Sequence, residues 1–379
     1  MTERSSEMTA LRAGVVGLGA MGRNHVRVLG SMPGVSLVGA VDPNPVARSA
    51  APACWVTEHL DELLALGLDI CVVAVPTLSH AQVGFELAQA GVHTLIEKPL
   101  AASVQDGNRL ADAFDQAGLV GCVGHVERHN PVLQALRRRV RGGELGRLFQ
   151  IATSRQGPYQ DRIRDVGVVL DLAAHDIDLT RWIAGSAYLK VSAHTTRSKA
   201  REHEDLAAVT GVLRDGTVVS HLVNWLSPLK ERMVTVTGER GCLRANLLTA
   251  ELWLQRSDPA GTDRPATDQA AQATPAGLQR CPVARQEPLR AELENFRNAV
   301  LGQAADIVTM RQGIDVLTVA GAVLAAADPG LTAAPTARPA VPTPRYEGLI
   351  LPNGSPAHAA LSTGEVDTLI PATGLRPVR

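Results

Sequence analysis

The chain is predicted to be an α/β protein with two unlike halves: an alternating strand–helix half, then a half built on a mainly antiparallel sheet. Three observations carry this. Short apolar runs with β-branched members alternate with helix-period stretches from residue 11 to residue 124. One turn between them reads Gly17-Leu18-Gly19-Ala20-Met21-Gly22. Beyond Gly124 most apolar runs follow one another without helices, and one pair is joined by Asp215-Gly216, a hairpin signal.

The 379 residues suffice for two or three domains, and 45% hydrophobic content with a net charge of −1 describes an ordinary globular chain. A near-neutral balance without a basic block excludes a nucleic-acid footprint. No apolar run is long enough to span a membrane, and the polar start lacks the apolar core of a signal peptide, so a cytoplasmic location is expected. Cys54, Cys71, Cys122, Cys242 and Cys281 are far apart, which suggests neither a zinc site nor a disulfide framework; no metal is expected. Of 37 basic side chains only four are lysines.

In chain order, residues 11–17 form a strand that runs into the glycine turn, and Met21, His25, Val28 and Leu29 have helical spacing after it. Gly17 permits the tight turn, Gly19 admits a pyrophosphate, and Gly22 allows close helix packing. The second strand, 36–41, ends in Asp42, 20 positions beyond Gly22. A carboxylate there accepts from adenosine ribose hydroxyls and repels a 2′-phosphate, so NAD is favoured over NADP. Residues 11–126 are therefore expected to be a Rossmann dinucleotide-binding domain. A third strand leads to a helix within 55–66, and the strand 69–75 ends at Pro76-Thr77. His80 then opens a helix; Thr77 and His80 lie at the rim where a cofactor sits, though His80 equally suits a residue near a helix cap. The apolar run 92–97 stops at Glu97-Lys98-Pro99. Proline cannot join a ladder, so Lys98 stands at the strand's exit, where ligands of open α/β sheets gather. A sequence that otherwise prefers arginine places a lysine there, which points to chemistry needing an ammonium. A helix (104–116) and a strand (119–124) complete this half.

The second half, 127–327, opens with an arginine-rich helix, 132–141, whose three consecutive arginines read as a solvated face. Strands are expected at 148–154, 189–194, 206–213, 217–225 and 233–237, a surface loop at 256–287, and helices at 289–301 and 311–327 closing this domain. Residues 1–10 are read as a disordered start and 328–379 as a Pro/Ala/Thr-rich tail. Within the helix 165–184, Asp171, His175 and Asp178 fall on one face, with Val169, Leu172, Ala173, Leu179 and Ile183 opposite. Asp and His at that spacing suit proton transfer, although paired polar residues on a solvated face are common. Asp176 falls inside the apolar stripe and requires a buried partner, an arginine by expectation. Arg155, Tyr159, Arg162 and Arg164 precede this helix and suit a diphosphate or carboxylate.

The glycine turn continued through Arg23-Asn24-His25, then Glu97-Lys98-Pro99, Gly124-His125-Val126-Glu127-Arg128 and Asp171-Leu172-Ala173-Ala174-His175-Asp176, in that order, resemble the Gfo/Idh/MocA family of sugar and cyclitol oxidoreductases over about residues 11–327. Residues 124–131 and 162–178 are similar to its nucleotide-sugar dehydrogenase branch. The resemblance implies a Rossmann domain, an α/β domain whose open sheet pairs subunits into a dimer or tetramer, and a catalytic group at Lys98, Asp171 and His175. It implies cofactor contacts at Gly17, Gly19, Ala20, Met21, Gly22, Asp42, Pro76, Thr77, His80, Glu97 and Lys98. Substrate contacts are expected at Lys98, His125, Arg128, Arg155, Tyr159, Arg162, Asp171 and His175. In the family the Lys-Pro bond is often cis. Two departures stand out: His129, usually aromatic and apolar, which suggests a more polar pocket, and the long tail.

The implied activity is NAD-dependent oxidation of a secondary ring hydroxyl, C3 being one candidate, on a sugar, nucleotide sugar or aminoglycoside. The ketone would suit an aminotransferase, as in aminosugar antibiotic biosynthesis. His175 as general base and Lys98 as base remain rivals, with Asp171 orienting His175 or gripping a hydroxyl. A free cyclitol or hexose is the second enzyme reading, and an NAD-sensing regulatory module without turnover is the reading of another class.

Overall fold

Six parallel strands, β1 (Leu11–Val16), β2 (Val35–Val41), β3 (Trp55–Thr57), β4 (Ile70–Val73), β5 (His93–Glu97) and β6 (Gly121–Gly124), form one sheet in the order β3-β2-β1-β4-β5-β6 in a computed structural model of the chain. The structure describes residues 10–49, 54–159, 166–197, 202–257 and 278–327. Helices α1 (Ala20–Leu29), α2 (Pro45–Ser49), α3 (Leu60–Leu64), α4 (His80–Gln89) and α5 (Val104–Gln116) alternate with these strands. Every residue of β4 is buried, as a central parallel strand covered on both faces requires. The strand order reverses between β1 and β4, which opens a crevice outside their carboxyl ends.

The second sheet has the order β14-β13-β12-β11-β7-β10-β9-β8, from β7 (Leu148–Gln156), β8 (Tyr188–Thr196), β9 (Leu206–Leu213), β10 (Val218–Asn224), β11 (Glu231–Gly238), β12 (Gly241–Asn246), β13 (Glu251–Arg256) and β14 (Leu278–Cys281). Only the β7–β10 pairing is parallel, so the mainly antiparallel expectation holds. Asp215-Gly216 turns β9 into β10, with Gly216 at φ +88°. Helices α6 (Pro131–Arg141) and α7 (Ala174–Ala184) cover one face, packing Leu133, Leu136, Leu179 and Trp182 onto Ile151, Val219, Val234 and Val236. Among the described residues no helix is long and apolar enough to cross a membrane.

Several expectations are corrected. Strands β12 and β13 were not foreseen, and β14 falls inside the stretch read as a loop; its four residues show no alternation. Residues 258–277 and the tail lie outside the described residues. Of the three consecutive arginines only Arg138 faces solvent. Arg137 stacks on Trp182 at 4.1 Å, and Arg139 pairs with Glu144 at 2.8 Å. The last two helices, α8 (Pro288–Val300) and α9 (Met310–Ala326), do not simply close the second half. Leu289, Leu293 and Phe296 complete the core beneath β1 and β4, and Ile314 and Leu317 pack with Leu110 and Phe114, while Val316, Ala320 and Val323 join the core around β9 and β10. Helix α9 thus belongs to both halves.

A buried hydrogen-bond chain fastens α7 to the second sheet. Thr180 Oγ1 donates to the carbonyls of Asp176 (2.9 Å) and Ile177 (3.1 Å), so it accepts from the Tyr188 hydroxyl (2.7 Å). Tyr188 then accepts from His221 Nε2 (2.7 Å), and His221 Nδ1 accepts from Thr153 Oγ1 (2.8 Å). Burial takes His221 down to about 3, so the ring is neutral, as this polarity requires. Replacing Tyr188 with Phe strands the His221 N–H. That substitution is expected to cost about 1–3 kcal/mol in urea unfolding, and a cost indistinguishable from zero would show that the chain does not anchor the helix.

Candidate active site

Strand β1 delivers the chain into the glycine turn at Gly17, whose φ of +92° favours glycine and where a Cβ would lie 2.5 Å from the Ala74 carbonyl oxygen. A Cβ at Gly22 would come within 1.8 Å of the Gly17 carbonyl oxygen, so this glycine lets α1 pack against the turn. At Gly19 a Cβ would meet nothing within 4 Å. The backbone there borders open space, as close approach by a ligand demands. Helix α1 carries neither a side-chain cap nor an acid in its first turn, which leaves its leading N–H groups for an anion. Asp42, one residue past β2, accepts from Leu18 N (2.7 Å) and Asn44 N (2.8 Å).

A cleft of about 1230 Å³ follows, lined by Gly17, Gly19, Ala20, Met21, Asp42, Pro76, Thr77, His80, Glu97 and Lys98 among others. Every expected cofactor residue borders it except Gly22, whose role is in packing. These features fit a dinucleotide: a bare helix N-terminus, an open glycine and a carboxylate at the second strand's end. His80 contributes wall rather than hydrogen bonds. Its ring nitrogens sit against the carbonyls of Pro99 (2.8 Å) and Val75 (3.0 Å), and burial holds its pKa below the ordinary value. The Lys98–Pro99 bond is cis.

Strand β5 ends in Glu97, whose Oε1 meets His25 Nε2 at 2.8 Å in the interior. Burial works to raise the Glu97 pKa, but the hydrogen bond and charge of His25, helped by Lys98, hold it below the carboxylate range. Beside it lies an acid the sequence did not single out, Glu292 of α8. Both its oxygens are buried without hydrogen-bond partners among the described residues, and burial plus the Glu97 charge push its pKa well up, which favours the neutral acid.

Lys98 reaches across to the other half. Its Nζ donates to the Asp171 carbonyl (2.8 Å) and to Asp171 Oδ1 (3.0 Å). Asp171 lies in a π-helical turn, Val169–Ala173, that precedes α7. His175, in the first turn of α7, faces a second cavity of about 360 Å³, and Met21, Glu97, Lys98 and Asp171 border both cavities. The His175 Nδ1 is buried without a partner, with the His125 ring edge-on at 6.4 Å, so the nitrogen left for a ligand is Nε2. Burial first, then the charges of Lys98, Arg155, His125 and Arg232, press the His175 pKa well below its ordinary value. The imidazole is therefore neutral and able to accept a proton.

The other expected substrate residues divide. Arg155 borders the second cavity but is buried and committed, Nε to Asp176 (3.1 Å) and Nη1 to Glu127 (2.8 Å); it is the arginine partner that Asp176 required. Arg128, expected at the substrate, does not line the cavity. It grips Asp178 in a fork of 2.7 and 2.5 Å and donates to Gln312 at 3.1 Å, so the third polar residue of the helix face also turns inward. His125 lies behind His175, and Tyr159 packs edge-on against Trp225 at 5.3 Å. His129 is buried, with burial taking its pKa to about 4, and it does not line the cavity. Arg162 and Arg164 lie outside the described residues. The cavity instead recruits Glu127, Asn130, Trp225, Lys230, Arg232 and Leu248, residues scattered over more than a hundred positions with no motif spacing.

Comparison with known proteins agrees with this geometry. Residues 11–125 match the Gfo/Idh/MocA oxidoreductase family model with its NAD-binding Rossmann fold, and residues 133–244 match the family's C-terminal domain. The UDP-N-acetylglucosamine 3-dehydrogenase of Acidithiobacillus ferrooxidans is 27% identical over 77% of this chain and 90% of its own. A solved structure of that enzyme superposes with a TM-score of 0.73 over 84% of this chain and 98% of its own, at 25% identity. GenD2 from gentamicin A biosynthesis, solved with NAD, gives 0.72 over 87% of this chain and 98% of its own, at 27% identity. The myo-inositol dehydrogenase Hyg17 of Streptomyces leeuwenhoekii is 32% identical over 62% of this chain and 76% of its own. The chain belongs to the Gfo/Idh/MocA family of oxidoreductases.

Proposed function

We propose that the protein is an NAD-dependent dehydrogenase that oxidises a secondary ring hydroxyl of a sugar or nucleotide sugar to the ketone. The observation that carries this reading is the meeting of the two cavities at Lys98 and Asp171, with a neutral His175 facing the smaller one. The larger cleft would hold NAD with its pyrophosphate at Gly19 and the N-terminus of α1, and with its adenosine ribose at Asp42. Bound there, NAD supplies the acceptor for the hydride leaving the substrate carbon. NAD rather than NADP fits, because Asp42 repels a 2′-phosphate and Arg48 is drawn to Glu58 (3.2 Å).

The chain's own residues manage one proton and one developing charge. His175 Nε2 accepts the hydroxyl proton, for which a neutral imidazole is required. The Lys98 ammonium hydrogen-bonds the substrate oxygen and offsets its growing negative charge. Asp171 holds Lys98 rather than orienting His175, because its carboxylate and carbonyl both receive the ammonium. Two of the three Lys98 N–H groups are thereby donated to Asp171, and the base is assigned to His175 instead. Trp225 also lines this cavity, an aromatic side chain of the kind that packs on the apolar face of a sugar. The ketone product suits transamination to an aminosugar, in keeping with the relatives. Exposed Val218 and Leu222 on the outer face of β10 support pairing of two such sheets in a homo-oligomer.

Mixing the protein with NAD and a panel of sugars, cyclitols, nucleotide sugars and aminoglycosides should yield NADH absorbance with at least one member. Tight NAD binding with no absorbance from any would favour a sensor. His175→Asn and Lys98→Met are each expected to lower kcat by about 10²–10⁴-fold. Because the His175 pKa is depressed, oxidation should stay on its plateau as pH falls from 8 to about 6.5, and decline only below that value as the base is protonated. Near-full activity in either variant removes that residue from the mechanism. For the cofactor, Gly19→Ala should leave thermal stability unchanged while weakening NAD binding more than about tenfold. Gly22→Ala should destabilise the fold itself, and the reverse pattern in calorimetry would contradict the assigned roles.

A further inference from the structure

Most charged groups around the substrate cavity are held in contact with a partner: Lys98 with Asp171, Arg155 with both Glu127 and Asp176, and Glu97 with His25. Two cations of the lining remain, Lys230 just before β11 and Arg232 within it. Neither pairs with a carboxylate among the described residues. Arg232 Nη1 donates to the carbonyls of Gln156 (2.6 Å) and Glu231 (2.7 Å), which fixes the plane of the guanidinium while its remaining N–H groups have no acceptor among the described residues. The side chain is only partly exposed, and its charge is felt at His175. Burial and the charge of Arg155 disfavour its charged form, and Asp176, Glu127 and Asp171 offset this only in part from beyond salt-bridge distance, so a ligand anion placed directly on the guanidinium stabilises it. Lys230 sends its stem over Gly157, where a Cβ would stand 3.6 Å from Lys230 Cγ, and it ends exposed at the rim. Leu247 and Leu248 add an apolar lip beside the two cations.

We infer that Lys230 and Arg232 bind an anionic group carried by the substrate, a phosphoryl or a carboxylate, and that they select such sugars over neutral and polycationic ones. Arg232 presents a preoriented fork of the kind that accepts two oxygens, and Lys230 adds an adjustable point charge. Lys98 and His175 of the same lining take the ring hydroxyl, so the anion is a second group of the substrate, separate from the one that reacts. A polycationic aminoglycoside would meet two like charges that have no salt-bridge partner among the described residues. The inference rests on the dehydrogenase reading for the sugar itself, but the charge preference is measured by binding and does not need turnover.

Calorimetric titration of the NAD-loaded protein with UDP-N-acetylglucosamine, glucuronate, myo-inositol and kanamycin tests it. At least one of the two anions should bind about tenfold or more tightly than both inositol and kanamycin, and should weaken as salt is raised. Binding by the nucleotide sugar alone identifies a phosphoryl group, and binding by glucuronate identifies a carboxylate. The double variant Lys230→Gln/Arg232→Gln should lose about tenfold or more of the anion affinity while keeping its NAD affinity, and Lys230→Arg/Arg232→Lys should retain most of it. Equal binding of inositol or kanamycin, or an unchanged anion affinity in the neutralised double variant, overturns the inference. Charge-selective binding without NADH formation would instead sink the dehydrogenase reading and leave this site standing.

Discussion

The ammonium of Lys98 is held by the carboxylate and the carbonyl of one residue, Asp171, that belongs to the other half of the molecule. That contact joins the end of a parallel strand to the wide turn before α7. It fixes where the cleft at the glycine turn meets the smaller cavity. It also bears on the electrostatics: after burial, the charge of Lys98 is the next cause that lowers the His175 pKa. The proposed division between a proton acceptor at His175 and a charged donor at Lys98 rests on this contact.

Around this contact, burial is tolerated by pairing. Arg128 with Asp178 and Arg155 with Asp176 and Glu127 place interior charges against their opposites, and the buried Glu97 carboxylate meets the His25 ring. These pairs stiffen the walls, and they account for Arg128 turning inward and for most of the Arg155 donors being occupied. An arginine enclosed with two carboxylates has little left to offer a substrate. The cations that remain available come from the antiparallel sheet, whose strand β11 carries no recognisable signature.

The half of the fold governed by local rules was legible. The glycine turn, Asp42 at its spacing and the strand that stops at Lys98-Pro99 each follow from short-range constraints, and each stands where the sequence puts it. The helix face of Asp171 and His175 was also readable, but regular spacing put Asp178 beside them, whereas the Arg128 fork draws it inward. Strands β12 and β13 do alternate buried and less buried residues over six positions, so their pattern was there to be read, whereas β14 has four residues with no alternation and takes its place from pairing with β13. The cavity lining at Trp225, Lys230, Arg232 and Leu248 depends on long-range pairing of β7, β10 and β11, which no local window contains. Such pairing is a tertiary event, so composition and spacing are silent about it.

The placement of α8 and α9 bears on how the chain is made. The first sheet is complete in sequence at Gly124, yet Leu289, Leu293 and Phe296 fill one of its cores and Ile314 and Leu317 another. On a ribosome adding roughly 5–20 residues per second, the nascent nucleotide domain waits on the order of ten to forty seconds for those helices. Throughout that interval apolar surface on both faces of the parallel sheet stands uncovered. The emerging polypeptide therefore has a defined window of chaperone demand, which closes when the final helix leaves the exit tunnel.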